Sequence, residues 1–271
     1  MSKAEYWVHD LDPFLFQFTE NFGIRYYGLA YALGFLVAIW LLHIFCKHGK
    51  AALTQEEQSL TITAIMVGVL LGGRLGYMFF YAFQDVIHRP WIILQVWKGG
   101  MASHGGFIGV VLACWWISKK IKINFLQLGD ILCPLVPPGI LLGRIANFIN
   151  GELWGKVSTV SWAVIFPQSA PLGTPLELIM PRHPSQLYAA ALEGLVLLIY
   201  SQWRFWWTGV LATSGRLTGE FLAFYAVVRI FGEQFREPDA PLIMDLSRGS
   251  FYSLFLLAAG AFLIFRSQKT A

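Results

Sequence analysis

Seven separate runs of apolar residues, each about as long as a membrane-crossing helix, constrain the fold of this chain more than any other feature. They lie near residues 24–46, 59–83, 104–118, 127–149, 186–203, 218–236 and 250–266. A bilayer core about 30 Å thick requires about 20 mostly apolar residues per helix. The composition agrees, because 56% of the residues are hydrophobic, 13% are charged and the mean hydropathy is +0.56. We predict an all-α membrane protein, a polytopic bundle of about seven transmembrane helices in a single domain, 1–271.

The basic residues predict how this bundle is oriented. The loops that follow the first, third, fifth and seventh runs hold eight Lys and Arg residues. The other loops are more than twice as long in total but hold six outside the helix ends. Since Lys and Arg collect in short cytoplasmic loops, we predict the N-terminus outside and the C-terminus in the cytoplasm. The net charge of +4 then reflects topology and contact with anionic lipid, and no nucleic-acid partner is expected.

Two stretches between or before the apolar runs are expected on the outer side. Residues 1–23 include YWVHDLDPFLFQF and lack the pattern of a cleavable signal peptide, so we predict an outer interfacial segment there. The connection of about 150–185 is rich in Pro, Gly and Ser, which predicts a small outer (periplasmic) cap with some strand content. Within the second run, glycines at 68, 72 and 76 predict the close approach of another helix.

An arginine, two asparagines and a glutamate end the very apolar run LCPLVPPGILL, which continues as GRIANFINGELWG. A charge in mid-membrane costs roughly 2.5–3.5 kcal/mol even on a lenient scale, so such residues need a partner, a water path or a ligand. Arg144 and Asn147 are three apart and share a helix face. Gly151 is a suitable helix stop and leaves Glu152 just beyond it. The second run contains a weaker echo of this stretch, with Arg74 matched to Arg144.

Two further polar sets lie on the same predicted side of the membrane. Arg229, Glu233 and Arg236 follow at i, i+4 and i+7 and form one stripe of the sixth run. His104 opens the third run beside flexible glycines. Because all these sets would meet in the outer half of the membrane, two or three arginines there suit a phosphate, whose oxygens match the forked donors of guanidinium.

Each of these residues also has a simpler explanation. Arg229 and Glu233 suit a plain intrahelical ion pair, and Arg144 can extend its stem to the interface. His104 alone is more typical of a helix start than of a catalyst. Tyr27, in the stretch RYYGL, is also typical of the aromatic belts at membrane interfaces.

The cysteines and histidines do not indicate a metal or thiol centre. The three cysteines, at positions 46, 114 and 133, lie in or beside different runs without metal or disulfide spacing, and we expect them to be inert. His43 and His48 are five apart, and no second ligand pair is suitably spaced. The sequence therefore predicts no metal site and no cofactor.

Four motifs together resemble one family. GRIANFINGELWG resembles closely the signature of the bacterial phosphatidylglycerol-prolipoprotein diacylglyceryl transferases, and GGMASHGGFIG, RHPSQLYAAALEG and RIFGEQFREPDA are similar to their other motifs in the expected order. The resemblance implies an enzyme of the bacterial cytoplasmic (inner) membrane that performs the first step of lipoprotein maturation. It transfers the sn-1,2-diacylglyceryl group of phosphatidylglycerol to the lipobox cysteine thiol of a preprolipoprotein signal peptide, making a thioether and releasing glycerol phosphate.

The resemblance also implies roles for single residues. Arg144 matches the phosphatidylglycerol-binding arginine, with Asn147 and Glu152 beside it as further substrate-binding residues. Arg229 matches a second essential arginine, and Glu233 and Arg236 complete its face. His104 matches the histidine regarded as the candidate base, although an orienting role fits its helix-end position almost as well. Tyr27 matches a substrate-binding tyrosine of the first run. The segment RHPSQLY is expected to start the fifth run at the cavity rim, with Pro184 in its first turn.

The chemistry of the residues suits this reaction, and two other classes remain open. A thiol near pKa 8.5 must lose its proton to become a good nucleophile, and a phosphate leaving group needs positive charge around it. A transporter or channel for an anionic solute would use the same arginines to line a path. A lipid-binding or scaffold protein would also use the arginines but would need no base.

Overall fold

The computed structural model describes residues 6–19, 22–95, 100–238 and 240–268, and most of these residues are helical. The helices are α1 (Tyr26–Lys47), α2 (Gln55–Phe80), α3 (Phe83–His88), α4 (Ser103–Lys120), α5 (Phe125–Leu132), α6 (Val136–Ile149), α7 (Ser185–Ala189), α8 (Leu197–Trp207), α9 (Arg216–Glu233) and α10 (Arg248–Gln268). The strands are β1 (Trp7–Val8), β2 (Phe14–Thr19), β3 (Phe22–Arg25) and β4 (Val164–Ile165). Residues 1–5, 20 and 21 of the predicted interfacial segment lie outside the described residues.

Each of the seven apolar runs coincides with helical structure. Two runs contain a change of helix type: a short 3₁₀ turn, Cys133–Leu135, joins α5 to α6, and the π-helical segment Ala190–Val196 joins α7 to α8. Among the described helices, four are long and apolar enough to cross a membrane, namely Tyr26–Lys47, Gln55–Phe80, Phe125–Ile149 and Arg248–Gln268. The protein is thus a mostly helical membrane protein with four candidate spans on this criterion.

Local sequence signals set the ends of these helices. At the start of α2, the Thr54 hydroxyl accepts from the Glu57 backbone amide at 3.2 Å, while the Glu57 carboxylate accepts from the Thr54 amide at 2.8 Å. This reciprocal capping box satisfies two amides that the helix itself leaves unpaired. At the end of α6, Gly151 adopts a φ of +64°, the left-handed conformation that glycine adopts without strain, which confirms the predicted helix stop.

The backbone packing divides the chain into two compact units, and the second unit comprises residues 39–131. In it, α2 packs against α4, and the predicted close approach is confirmed. A side chain built on Gly72 or Gly76 would overlap the backbone at Gly105, and one on Gly109 would overlap the carbonyl of Gly68. The Arg74 guanidinium, 4% exposed, donates to four backbone carbonyls, those of Ile92, Ile93, Gln95 and Gly100. Arg74 therefore orders the connection that follows α3.

The first unit comprises residues 1–38 and 132–271. Here α9 packs on α10, where a Cβ added to Gly260 would lie 2.7 Å from the carbonyl oxygen of Gly219. The helix α6 packs on the π-helical segment, where a Cβ on Gly194 would lie 2.7 Å from the Leu141 Cα. Small residues therefore bring both pairs of helical segments close together.

The described residues before α1 include the three strands β1, β2 and β3, so the fold is not purely α-helical. β2 and β3 form an antiparallel hairpin, and β1 pairs in parallel with β4 of the 150–185 segment. Aromatic and β-branched residues favour extended backbone, and the side chains of Phe16 and Phe18 are 61% and 64% exposed. Such an aromatic surface is typical of an interfacial segment.

The 150–185 segment has little regular structure but a defined interior. Backbone bridges join Val157 and Val164 to Arg182, and Gly155 to Arg236. The four residues 163–166 are buried. His9, 5% exposed, has its Nε2 2.7 Å from the Phe148 carbonyl oxygen and therefore donates to it at the end of α6. The expected strand content is thus present. Residues 7–9 pair with this segment and bind the end of α6.

Candidate functional site

A buried glutamate, Glu193, joins the two arginines that the sequence singled out. It lies in the π-helical segment and is 1% exposed. Its Oε2 accepts from Arg144 Nη2 at 2.9 Å, and its Oε1 accepts from Arg229 Nη1 at 3.0 Å. One carboxylate therefore fixes the relative position of two guanidinium groups from different helices. Charge-assisted hydrogen bonds of this kind are among the strong ones in proteins.

The local backbone explains how Glu193 reaches both partners. A π-helical turn is wider than an α-helical one, occurs mostly as a single turn, and is frequent at functional sites. Gly194 lets this turn approach α6 near Leu141, so the neighbouring Glu193 meets Arg144 on that helix. From the other side, α9 presents Arg229 to the second carboxylate oxygen.

The predicted pair Arg229 and Glu233 is confirmed on α9, whereas Arg236 lies in the turn beyond the end of this helix and still contacts Glu233. Arg229 Nη2 lies 2.5 Å from Glu233 Oε1, and Arg236 Nη1 lies 3.5 Å from the same oxygen. Glu233 is 8% exposed, and Gly249 of α10 packs so closely that a Cβ there would lie 2.6 Å from Glu233 Oε1. The simple interpretation of Arg229 as an intrahelical pair is therefore incomplete, because Arg229 also binds Glu193.

Asn147 and Glu152 form a second polar pair at the end of α6. Asn147 Nδ2 donates to Glu152 Oε1 at 2.7 Å, and the Glu152 amide donates to the Asn147 carbonyl at 3.1 Å. Tyr27 packs on Tyr31, one helical turn further along α1, with ring centroids 5.3 Å apart, and Tyr31 interacts electrostatically with Glu152. Asn147 and Glu152 thus contact each other directly, and Tyr27 packs on the neighbouring Tyr31.

A small cavity lies over the arginine cluster. Its empty space, including the part open to solvent at its mouth, is about 280 Å³, and the enclosed part has room for about one water molecule. Its lining residues are Arg144, Leu153, Ser185, Gln186, Ala189, Glu193, Arg229, Gly232 and Arg236. Three guanidinium groups against the carboxylates of Glu193 and Glu233 leave the cluster net positive. The arrangement can therefore attract an anionic group such as a phosphate to the mouth of this cavity.

The predicted rim segment is anchored beside this cavity. The helix α7 begins at Ser185, so Pro184 lies just before the first turn, one residue earlier than expected. The Tyr188 hydroxyl accepts from Trp162 Nε1 at 2.7 Å and lies 3.1 Å from His183 Nδ1. Partial burial lowers the pKa of His183, which favours the neutral ring.

His104 belongs to the other compact unit. It is the second residue of α4 and is partly buried, in the 39–131 unit, whereas Arg144, Arg229, Glu233, Arg236, Asn147, Glu152 and Tyr27 all belong to the 1–38 and 132–271 unit. The helix-start position of His104 agrees with the sequence. Its part in the chemistry stays a prediction.

The sequence reasoning missed Glu193, Ser185 and Gln186 as site residues. Glu193 carried the same signal as Arg144, a charge inside an apolar run, and it stands in the motif RHPSQLYAAALEG. Ser185 and Gln186 are uncharged, and polar residues at a helix start are ordinary. Among the described residues, no group of three or more His, Cys, Asp or Glu side chains is arranged to hold a metal ion.

Comparison with known proteins agrees with the four motifs. The family model for prolipoprotein diacylglyceryl transferase matches residues 13–266. Proteins named phosphatidylglycerol–prolipoprotein diacylglyceryl transferase are similar to this chain along most of its length. The one from Pseudoalteromonas atlantica is 43% identical over 88% of this chain and 80% of its own length, and that from Legionella pneumophila strain Corby is 42% identical over 86% of each. A Vibrio cholerae relative is 40% identical over 96% of this chain and 93% of its own. The chain therefore belongs to the prolipoprotein diacylglyceryl transferase family.

Proposed function

We propose that this protein transfers the sn-1,2-diacylglyceryl group of phosphatidylglycerol to the lipobox cysteine thiol of preprolipoproteins. The observation that carries the proposal is the pair Arg144 and Arg229, held on Glu193 at the wall of a net positive cavity. The names of the relatives supply the two substrates. The product is a thioether-linked lipoprotein precursor, and the reaction is the first step of bacterial lipoprotein maturation.

The reaction exchanges one bond at the glyceryl carbon that carries the phosphate. The thiolate sulfur attacks this carbon and forms the C–S bond, while the C–O bond to the phosphate breaks and its electron pair leaves with glycerol phosphate. Negative charge grows on the phosphate as that bond breaks. Arg144 and Arg229 stabilise this charge through positioned N–H donors, with Arg236 nearby, and no cation is required for it.

A base must also remove the thiol proton. His104 is the candidate, because a neutral imidazole nitrogen can accept a proton. The alternatives are a water molecule, a carboxylate-assisted route, a group supplied by one of the substrates, and a purely orienting role for His104. Asn147, Glu152 and Tyr27 are proposed to bind substrate beside Arg144, and Glu233 is proposed to hold Arg229 and Arg236 in place.

The membrane arrangement belongs to the same proposal. We place all seven helical runs across the bacterial cytoplasmic (inner) membrane as one domain, 1–271, with the N-terminus outside and the C-terminus in the cytoplasm. The strands before α1 and the 150–185 segment then form an interfacial segment and a periplasmic cap. The signal peptide of the preprolipoprotein would reach the site from within the membrane.

One assay separates this enzyme from a transporter or a lipid-binding protein. Purified protein is incubated with phosphatidylglycerol labelled in its headgroup glycerol and with a lipobox peptide, with or without EDTA. We expect a diacylglyceryl-peptide thioether and labelled glycerol phosphate in equal amounts, unaffected by EDTA, and no product from a peptide with Ser in place of the lipobox Cys. Lipid uptake or binding without thioether formation would support the other two classes.

A further inference from the structure

The cavity wall contains one buried acceptor that the arginine network does not use. Gln186 lies in the first turn of α7, is 2% exposed and lines the same cavity as Arg144 and Arg229. Its Nε2 donates to the Glu152 carbonyl at 2.6 Å. Because a carbonyl oxygen only accepts, the amide nitrogen must face it, which fixes the orientation of the Gln186 amide. Its Oε1 is buried and has no hydrogen-bond partner among the residues that the structure describes.

The neighbouring polar groups do not account for this acceptor. Ser185, which also lines the cavity, donates its hydroxyl to the Leu153 carbonyl at 3.0 Å. The guanidinium groups of Arg144 and Arg229 are directed to the carboxylate of Glu193. Buried acceptors nearly always have a donor, so an acceptor at a cavity wall without a protein donor is a place for a water molecule or for a ligand group that brings a donor.

The chemistry of the ligand follows from the two kinds of group at the wall. A phosphate diester offers acceptor oxygens, which suit the arginines but repel the oxygen of an amide. The donor for Gln186 must therefore come from a neighbouring part of the same ligand. In phosphatidylglycerol, the headgroup glycerol carries two hydroxyl groups close to the phosphate, and one of them can supply this donor while the phosphate meets the arginines at the cavity wall.

We propose that Gln186 Oε1 accepts a hydrogen bond from a hydroxyl group of the lipid headgroup and thereby selects phosphatidylglycerol over anionic lipids without that hydroxyl. The inference rests on the proposed function and adds a specificity-determining residue to it. The arginines recognise the phosphate that all anionic phospholipids share, and Gln186 recognises the group by which phosphatidylglycerol differs. The buried amide is held by the Glu152 carbonyl, so its acceptor is already positioned before the lipid binds.

The test compares phosphatidylglycerol with phosphatidylpropanol, which has the same acyl chains and phosphate charge but a propyl group in place of the headgroup glycerol. For the wild-type protein we expect kcat/KM for thioether formation to favour phosphatidylglycerol by roughly 10- to 100-fold, since a site with a buried acceptor rejects an analogue that leaves it unpaired. In Gln186→Met, this preference should fall to within about threefold, mainly by loss of activity on phosphatidylglycerol.

Taking the ratio of kcat/KM for the two lipids removes the effects of a variant on folding or on overall activity, because these effects apply to both lipids. Loss of the contact to the Glu152 carbonyl affects both lipids alike and cancels. Gln186→Asn, which keeps an amide but withdraws the acceptor by one methylene group, should also lose the preference. Ser185→Ala is the matched control at the adjacent position, and it should keep the wild-type ratio whatever its absolute rate.

Three results would overturn the inference. Equal use of both lipids by the wild-type protein would show that no headgroup hydroxyl is recognised, and this measurement needs no variant. A preference unchanged in Gln186→Met or Gln186→Asn would show that another group recognises the headgroup hydroxyl. Gln186 would then accept from a different donor, for example a peptide N–H. If no lipid yields a thioether at all, the proposed function itself fails, and the two failures are therefore distinguishable.

Discussion

At the scale of single residues, the arginines of this chain differ in the acceptors they meet. Arg144 and Arg229 share the carboxylate of Glu193 beside a cavity. Arg204 binds both oxygens of Glu220, at 2.6 Å each, away from that cavity. Arg74, which echoes Arg144 in sequence, donates to backbone carbonyls. A charge in an apolar run therefore predicts a partner, and the kind of partner separates a substrate-binding role from a structural one.

Replacing Arg144 by Lys tests the fork of the guanidinium. Lysine keeps the charge but loses the planar set of donors, so we expect kcat/KM with phosphatidylglycerol to fall by about 10²-fold while the protein still inserts. Arg204→Lys is the matched control, because Arg204 is likewise paired with a buried carboxylate, that of Glu220, but lies outside the cavity lining. We expect it to lower the thermal midpoint and to leave the turnover of folded protein within a few-fold. Near-normal turnover of Arg144→Lys would remove Arg144 from phosphate recognition.

Glu193→Gln tests the carboxylate that joins the two arginines. Its charge is lost in a buried position, so we expect a loss of about 3 kcal/mol of stability and, because Arg144 and Arg229 are no longer fixed, a fall in kcat of about 10²-fold. Both are measured in detergent, at a temperature at which the variant is folded. Glu237→Gln is the control, since Glu237 is 47% exposed in its pair with Arg182 and should contribute little. A variant that is only less stable, with unchanged kcat when folded, would make Glu193 purely structural.

His104→Gln tests the candidate base. If His104 removes the thiol proton, the variant should bind lipid normally but turn over about 10²-fold more slowly with a cysteine lipobox peptide. A selenocysteine peptide, whose nucleophile is already ionised at neutral pH, should restore most of the rate. Equal impairment with both peptides would show that His104 acts by orienting the start of α4.

At the scale of elements, glycine determines how closely the helices pack. Gly68, Gly72 and Gly76 of α2 face Gly105 and Gly109 of α4, with no room for a side chain between them. In a membrane, burying apolar side chains between helices contributes little, because the lipid tails around them are equally apolar. Helices therefore associate through such close packing. The helical run Ser185–Trp207 uses another device, since its π-helical turn carries Glu193 towards α6 and α9.

Gly109→Ala tests the packing of α2 on α4. The added methyl group would overlap the Gly68 carbonyl, so the helices must separate, and we expect a loss of about 1–3 kcal/mol. Gly139→Ala is the control, because a Cβ at this helical position meets nothing within 4 Å. It should leave the thermal midpoint unchanged or raise it slightly, since alanine favours helix. Equal midpoints for the two variants would contradict the packing argument.

At the scale of the whole molecule, the number of membrane crossings determines whether the two ends of the chain lie on the same side of the membrane. Four helices satisfy length and hydropathy together, whereas the proposed topology has seven crossings. The helix α9 falls short because it carries Arg216, Glu220, Arg229 and Glu233. These charges are paired within the protein, which lowers the cost of placing the helix in a membrane.

Reporter fusions test whether the number of crossings is odd. With seven crossings the two ends lie on opposite sides, so green fluorescent protein at the C-terminus should fluoresce and alkaline phosphatase there should be inactive. Alkaline phosphatase fused after residue 160, in the proposed periplasmic cap, should be active. An active phosphatase at the C-terminus would show an even number of crossings or the opposite orientation.

The sequence by itself determined the features that depend on near neighbours in the chain. Hydropathy located all seven helical runs, the i, i+4 and i+7 spacing predicted the stripe of Arg229, Glu233 and Arg236, and glycine spacing predicted the packing face of α2. These signals are local, because a helix brings residues three, four and seven apart onto one face whatever surrounds it.

Only the tertiary structure decided which distant groups meet. Glu193 binds partners 49 and 36 residues away, Gln186 lies 34 residues from the carbonyl that holds it, and β1 pairs with a strand more than a hundred residues later. No periodicity encodes such contacts, since they depend on how helices pack and on where one π-helical turn displaces a side chain. The sequence therefore indicated the arginines of the site and Glu233, whereas the packing of the helices revealed Glu193 and decided how these charges are paired.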